Sequence, residues 1–253
     1  MMTANTSKGI TYPQSTDHTR LWEHMQTLAT TADSIIFGNV DRQVFTANGT
    51  WTRPANAIRV FVQVQAAGGG SGGVASTGAG QAACAPGASG GEYAEGFFTP
   101  ATTGATVAVT VGAGGTPGSS GANAGGDGGN SQFGALITCI GGSGSAGGTA
   151  STATSIGAPN GGTGGSGGDF RVAGGDGMNG QVVGGVPLKY NSGGYAFLGG
   201  ARRASGVAAT TTTGFNGYPY GGGASGPANG ATQSAVAGST GAAGIVIVTT
   251  FTA

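Results

Sequence analysis

The chain has 253 residues, of which 58 are glycine and only 7% are charged, against about 25% charged in an ordinary soluble domain. Nine Lys and Arg balance nine Asp and Glu with no basic stripe, which excludes a phosphate backbone, and so nucleic acid, as the expected partner. Strands rich in Val and Ile argue for an ordered chain rather than a disordered one, and so weakly charged a surface favours self-association or attachment to a larger body.

After a lead of residues 1–11, "YPQSTDHTRLWEHMQTLATTADSII" (12–36) reads as one helix, with Ser15 or Thr16 as cap and Asp17 in the first turn. Leu21, Met25, Leu28, Ala32 and Ile35 are spaced four, three, four, three, a two-heptad seam that Trp22 and Ala29 widen. This seam is the oligomerisation candidate; packing of an amphipathic helix on its own domain is the other reading of the same spacing. Residues 1–40 are therefore expected to be a helical attachment segment and 41–253 a separate glycine-rich β domain. No secretory signal is expected from the polar first thirty residues, and the apolar run "IVIV" (245–248) is too short to span a bilayer, so no membrane insertion is expected.

Strands follow at "QVFTA" (43–47), "IRVFVQVQA" (58–66), "GEYAEGFFTP" (91–100), "TVAVTVGAGG" (106–115), "GALITCIGG" (134–142) and "GIVIVTTFT" (244–252). Between the first two, Asn48-Gly49 signals a turn and Trp51 a core residue. The last strand is apolar on alternate and intervening positions alike, which predicts a central strand covered on both faces. Between the strands lie tracts such as "GGDGGN" (125–130), "GGSGSAGG" (141–148) and "NGGTGGSGG" (160–168). A strand can run on into a left-handed threefold helix because the two conformations adjoin in φ/ψ space. Such helices have no internal hydrogen bonds, so with glycine they pack until their backbones bond to one another. Gly164, Gly165 and Gly167 are expected to lie in such packed helices; a solvated flexible linker is the competing reading. The fold class expected is all-β, a glycine-rich, β-sandwich-like domain with polyglycine II-type tracts behind a short N-terminal α-helix.

Motifs for chemistry are missing. "GSGSAG" (142–147) fits G-x-G-x-x-G, but no helix follows to hold a pyrophosphate. His18 and His24 stand six apart, off the spacing of one metal-binding face, and Asp127, Asp169 and Asp176 read as isolated turn acids. Cys84 and Cys139 read as two buried thiols rather than a disulfide. Neither a catalytic residue, nor a metal, nor a cofactor is expected. One stretch suits recognition: residues 186–222 concentrate Tyr190, Tyr195, Phe197, Phe215, Tyr218 and Tyr220 with Lys189, Arg202 and Arg203. These are residue types of binding hot spots and sugar-stacking faces, and equally of a small second core.

The combination "FTANGTWTRPANAIRVFVQVQAAGGGSGG", "GGEYAEGFFTP", "VAVTVGAGG", "NSQFGA" and "GAAGIVIVTTF" resembles the glycine-rich domain of bacteriophage tail proteins, over residues 44–253. "ITYPQSTDHTRLWEHMQTLA" (10–29) is similar to the start of minor tail proteins of actinobacterial phages, and there is a more distant likeness to polyglycine-helix phage adhesins. The resemblance implies a virion protein of the phage tail, trimeric or otherwise multimeric, held to other tail proteins by its N-terminus, whose loops meet a host-surface glycan or protein. A free-standing polyglycine module that binds ice or another surface is the alternative.

Overall fold

The structure, a computed structural model, describes residues 3–5, 11–13, 23, 25–26, 28–29, 40–188, 190–204 and 210–252. In chain order the elements are β1 (Thr3–Asn5), β2 (Thr11–Pro13), β3 (Val40–Phe45), β4 (Gly49–Thr52), β5 (Ala57–Gln65), β6 (Ala83–Cys84) and β7 (Tyr93–Phe98). There follow the short helix α1 (Pro100–Thr103), β8 (Thr106–Thr110), β9 (Ser131–Phe133), β10 (Ile137–Cys139), β11 (Thr154–Ile156) and β12 (Ser166–Gly167). The chain closes through β13 (Phe170–Val172), β14 (Gly180–Val183), β15 (Val186–Leu188), β16 (Ala228–Asn229) and β17 (Ile245–Thr252). The fold is all-β.

Two five-stranded antiparallel sheets, β13-β7-β5-β17-β3 and β12-β10-β9-β8-β4, share one core. Alternation along β5 turns Val60, Val62 and Val64 inward, and β17 adds Val246 and Val248. The facing sheet contributes Trp51, Val107, Val109, Phe133 and Ile137, with Trp51 meeting Phe133 edge-on at 5.6 Å. Each such buried side chain contributes about 1.5–3 kcal/mol relative to exposure.

Beyond this sandwich the hydrogen bonds change from the strand repeat to a repeat of three, and the strand pairing carries straight on. Gln65 pairs with Ile245 in the sheet; then Gly68 N–H donates to Ala242 O (2.9 Å), Ser71 to Ser239 (2.9 Å), Val74 to Val236 (2.8 Å) and Thr77 to Gln233 (2.9 Å). On the other side of β5, Gln65 pairs with Tyr93, and Ala66 then donates to Glu92 and Gly69 to Ser89. The β8–β9 pair Thr110–Gln132 continues as Gly129 to Ala113 and Gly126 to Thr116; the β9–β10 pair Ser131–Cys139 continues as Gly128 to Gly142 and Gly125 to Ser145. Residues 67–77 therefore bond outward in three directions in turn, while Ala67, Gly70 and Gly73 donate to Gly129, Gly126 and Asn123. Residues 85–92 do likewise: Ala85, Ala88 and Gly91 donate to Pro227, Ala224 and Gly221, and Gly87 and Gly90 to Met178 and Gly175. Three residues per turn with every bond made to a neighbour is polyglycine II-type packing. The tracts are ordered.

Some expectations need correction. Thr11–Pro13 is a strand paired with Thr3–Asn5, not the start of the helix: Thr and Tyr favour extended backbone, and Pro sits at an edge where no donor is needed. Glu23, Met25, Gln26, Leu28 and Ala29 are helical, with Met25 and Leu28 exposed; Ser15, Thr16, Leu21, Trp22, Ala32 and Ile35 lie outside the described residues. The chain does turn at 46–48, but β3 pairs with β17 and β4 with β8, so this turn carries the chain from one sheet to the other. β17 does lie between β3 and β5, yet Ile247, Thr249 and Phe251 are half-buried, so only one of its faces is sealed. Gly164 (φ +89°) turns the chain into β12 with nothing within 4 Å of an added Cβ, whereas Gly167 (φ +74°) lies in β12 opposite Ile137, and a Cβ there would stand 1.9 Å from Leu136 O; between them Gly165 N–H donates to Glu92 Oε2. The close backbone approach expected at Gly165 and Gly167 is present, but it is made at a strand pair with β10 and not between threefold helices.

Candidate functional site

Residues 191–195 run alongside the tracts, Ser192 O and Tyr195 O accepting from Met178 and Gly175 N–H, and are further tied down by buried amides. Asn191 Nδ2 donates to the carbonyls of Ala85, Gly226 and Pro227. Gly194 N–H donates to Ala88 O, and Gly194 O accepts from Gly223 N–H. A turn closes between Ala196 and Gly200, and Leu198 N–H at its tip donates to Gln65 Oε1 (3.3 Å). Gln65 is fully buried and its Nε2 binds the carbonyls of Gly91 and Glu92, so the loop is fastened to the end of the central strand. A long loop thus acquires the rigidity of the body beneath it.

The structure separates the predicted aromatic cluster into three groups. Tyr190 (68% exposed) and Tyr195 (53%) line a groove of about 850 Å³ with Asp176, Met178, Asn179 and Gln181. The Tyr195 ring lies so close on the tract below that a Cβ at Gly175 would stand 2.2 Å from its Cδ1. Asp176 Oδ1 accepts from Gly161 N–H and Asn179 Oδ1 from Ala158 N–H, which orients both side chains. Phe197 forms the second group, stacked on Tyr93 at 4.3 Å and 21° and edge-on to Phe170. In the third, Arg202 lies over Phe215 (4.6 Å) and Tyr218 (4.4 Å), and Arg203 over Phe215 (4.6 Å). Tyr220 is half-buried, and Lys189 lies outside the described residues.

Tyr93, buried beneath Phe197, together with Phe170 and Asn179 belongs to this site without having been singled out in the sequence, and Asp176, read there as an isolated turn acid, joins them. The strand alternation that turns Ala94 and Gly96 one way and Tyr93 and Glu95 the other is the signal for the first; nothing local marks the rest. Elsewhere Glu92, 3% exposed, pairs with Arg171 at 2.7 Å and accepts from Ile140 and Gly165 N–H, while Arg171 also donates to the carbonyls of Gly167 and Thr138. This pair locks β13 to the neighbouring sheet. Cys84 and Cys139 are free and buried, and burial pushes the Cys139 thiol up to about 12. Among the described residues no three His, Cys, Asp or Glu side chains converge on a metal position, and no helix is long and apolar enough to cross a membrane. The exposed face offers stacking surfaces, guanidinium donors and oriented polar groups, the equipment of recognition.

Residues 44–251 match the family model described as the glycine-rich domain. No curated protein matches the chain.

Proposed function

The chain belongs to the glycine-rich domain family, and from that premise we propose that it is a structural protein of a phage tail whose residues 186–222 contribute to host-surface contact. One observation carries the contact role. Tyr190, Tyr195, Phe197 and Tyr218 stand 45–68% exposed on segments fastened to a body of interlocked backbones. Large rings left in water on a rigid support are poised to bind without much further loss of conformational entropy. The tail assignment rests on the resemblance of residues 10–29 and 44–253 to phage tail proteins. In this reading the N-terminal seam, of which Met25 and Leu28 are exposed, joins three copies to one another and to the tail.

Antibody raised against the purified protein is expected to label the tails of intact virions in negative stain, in preparations from phage that encode the chain. Unlabelled tails on virions whose capsids and tails are otherwise complete would refute the assignment. For the contact role, replacing 186–222 by a short Gly-Ser link should abolish binding to host cells; a folded variant that binds like the parent would refute it.

A further inference from the structure

We propose that Arg202 and Arg203, held on Phe215 and Tyr218, recognise an acidic polysaccharide, a sugar polymer bearing carboxylates or phosphates. The inference rests on reading this face as the contact surface and gives that surface a ligand class. Charge placement supplies the first argument. After Asp176 the sequence holds no Asp or Glu, while Lys189, Arg202 and Arg203 all lie there. A chain neutral as a whole is thus positive in its last third.

Geometry supplies the second. Both guanidinium groups sit 4.6 Å from the centre of one ring, that of Phe215. The two charges therefore lie within about 9 Å of each other, inside one Debye length at moderate salt. The rings offset part of their repulsion through their negative faces. Among the described residues neither arginine pairs with a carboxylate, and Arg202 Nε is buried without a hydrogen-bond partner. Arg171 shows how the same fold treats an arginine used for structure, with Glu92 at 2.7 Å and two carbonyls on its remaining donors. Arg202 and Arg203 have a platform but, among the described residues, no acid. An anionic ligand would supply the missing partner and receive charge-assisted, forked hydrogen bonds.

The platform is preformed. Phe215 is fixed by two bonds to Ser225, its N–H donating to Oγ (2.9 Å) and its carbonyl accepting from the N–H (3.0 Å). Arg202 O accepts from Gly193 N–H (2.9 Å), in a segment that also carries the groove residues Ser192, Gly194 and Tyr195. Two cations, exposed aromatic edges and an adjoining groove suit an extended sugar chain better than a single small anion. The groove's own acid, Asp176, is engaged by Gly161 N–H and makes no ion pair with either arginine among the described residues.

The test measures retention of the full chain on immobilised alginate, a uronate polymer, and poly(glycerol phosphate), with dextran as the neutral polymer and oligo(dT) as a nucleic acid. Retention on one or both acidic polymers, weakening as salt rises and absent on dextran, is expected; the stronger arm identifies carboxylate or phosphate as the group read. Changing Arg202→Gln together with Arg203→Gln should weaken binding at least tenfold, whereas Arg59→Gln, a charge removed elsewhere, should not. Should the double variant melt early, Arg202→Lys with Arg203→Lys keeps the charge, loses the planar fork and should still weaken binding several-fold. Equal retention on dextran, no retention on either acidic polymer, tighter binding of oligo(dT), or an equal loss from Arg59→Gln would each overturn the proposal. Host-cell binding separates it from the broader reading. Arginine variants that bind cells like the parent would overturn the acidic ligand alone. Arginine-dependent polymer binding by a chain that never labels virions would support the ligand and overturn the tail assignment.

Discussion

Gly70→Ala tests whether the glycine tracts are a packed solid or a solvated linker. A Cβ built on Gly70 falls 2.1 Å from Thr116 O, 2.6 Å from its carbonyl carbon and 2.7 Å from Gly115 O. Carbon and oxygen ordinarily meet no closer than about 3.3 Å, so the neighbouring backbone must retreat by about 1 Å. Thr116 O accepts from Gly126 N–H (2.8 Å), and Gly126 O accepts from Gly70 N–H (2.9 Å), so the retreat strains a closed set of bonds. Overpacking costs about 1–3 kcal/mol and a buried hydrogen bond left unmade about 1–3 kcal/mol more. For a domain of this size each kcal/mol lowers Tm by about 2–4 °C, so a fall of about 10 °C is expected in a thermal melt followed by circular dichroism. Gly157→Ala is the internal control: nothing lies within 4 Å of its added Cβ and its φ is outside the left-handed region. There the lost freedom of the unfolded chain predicts a gain of about 0.4–1 kcal/mol. If Gly70→Ala melts with the parent, backbone interlocking is not what holds the tracts.

Phe197→Ala should lower Tm by several degrees, since it removes a stack on Tyr93 worth about 0.5–1.5 kcal/mol beyond its buried area; Tyr190→Ala, 68% exposed, should leave the melt within about 0.5 kcal/mol of the parent. Cys139 should resist alkylation at pH 8 in the folded protein and react once the chain is denatured, because burial raises its pKa from 9.0 to about 12. The sign for stability follows: above pH 9 the unfolded chain has lost a thiol proton that the folded chain keeps, so this contribution is full below 9 and declines from about 9 to 12. A Cys139→Ser variant with the same alkaline decline would refute that assignment. Met25→Glu with Leu28→Glu should convert the proposed trimer to monomer in sedimentation, and a parent that sediments as a monomer would remove the seam from consideration.

The sandwich strands were legible because side chains report them: β5 alternates Val60, Val62 and Val64 with polar or larger residues, and β17 opens on an unbroken β-branched run, Ile245 to Val248. Their pairing was not, since Gln65 meets Ile245 across nearly the whole domain, and the turn signal at Asn48 does not tell that β3 and β4 lie in different sheets. Order in the tracts could be inferred from interleaved strands, but glycine carries no side chain to show which residues face inward. Gly164, which turns with open space beside it, thus looked the same as Gly70, which packs. The hairpin β14–β15 was hidden inside a glycine tract although Gly184-Gly185, both at positive φ, is the turn such hairpins favour. For the proposed contact surface, the chain stretch 186–222 was visible as a break in glycine. That Tyr93 lies under Phe197 while Arg202 lies on Phe215 depends on tertiary placement alone.

The continuity of pairing from strand into tract bears on how such a protein can change length. A ladder that repeats every three residues looks the same after a slip of three, so glycine tracts by themselves would settle into several misaligned arrangements. Here the side-chain-bearing pair Gln65–Ile245 sets the alignment that Gly68–Ala242 and Ser71–Ser239 inherit. Insertions or deletions of whole threes, matched in neighbouring tracts, would preserve every bond direction, while a change of one or two residues would rotate all later donors toward the wrong neighbour. Lineages of this chain are therefore expected to grow and shrink in triplets of residues at the ends far from the sandwich, leaving the anchoring strands constant in length.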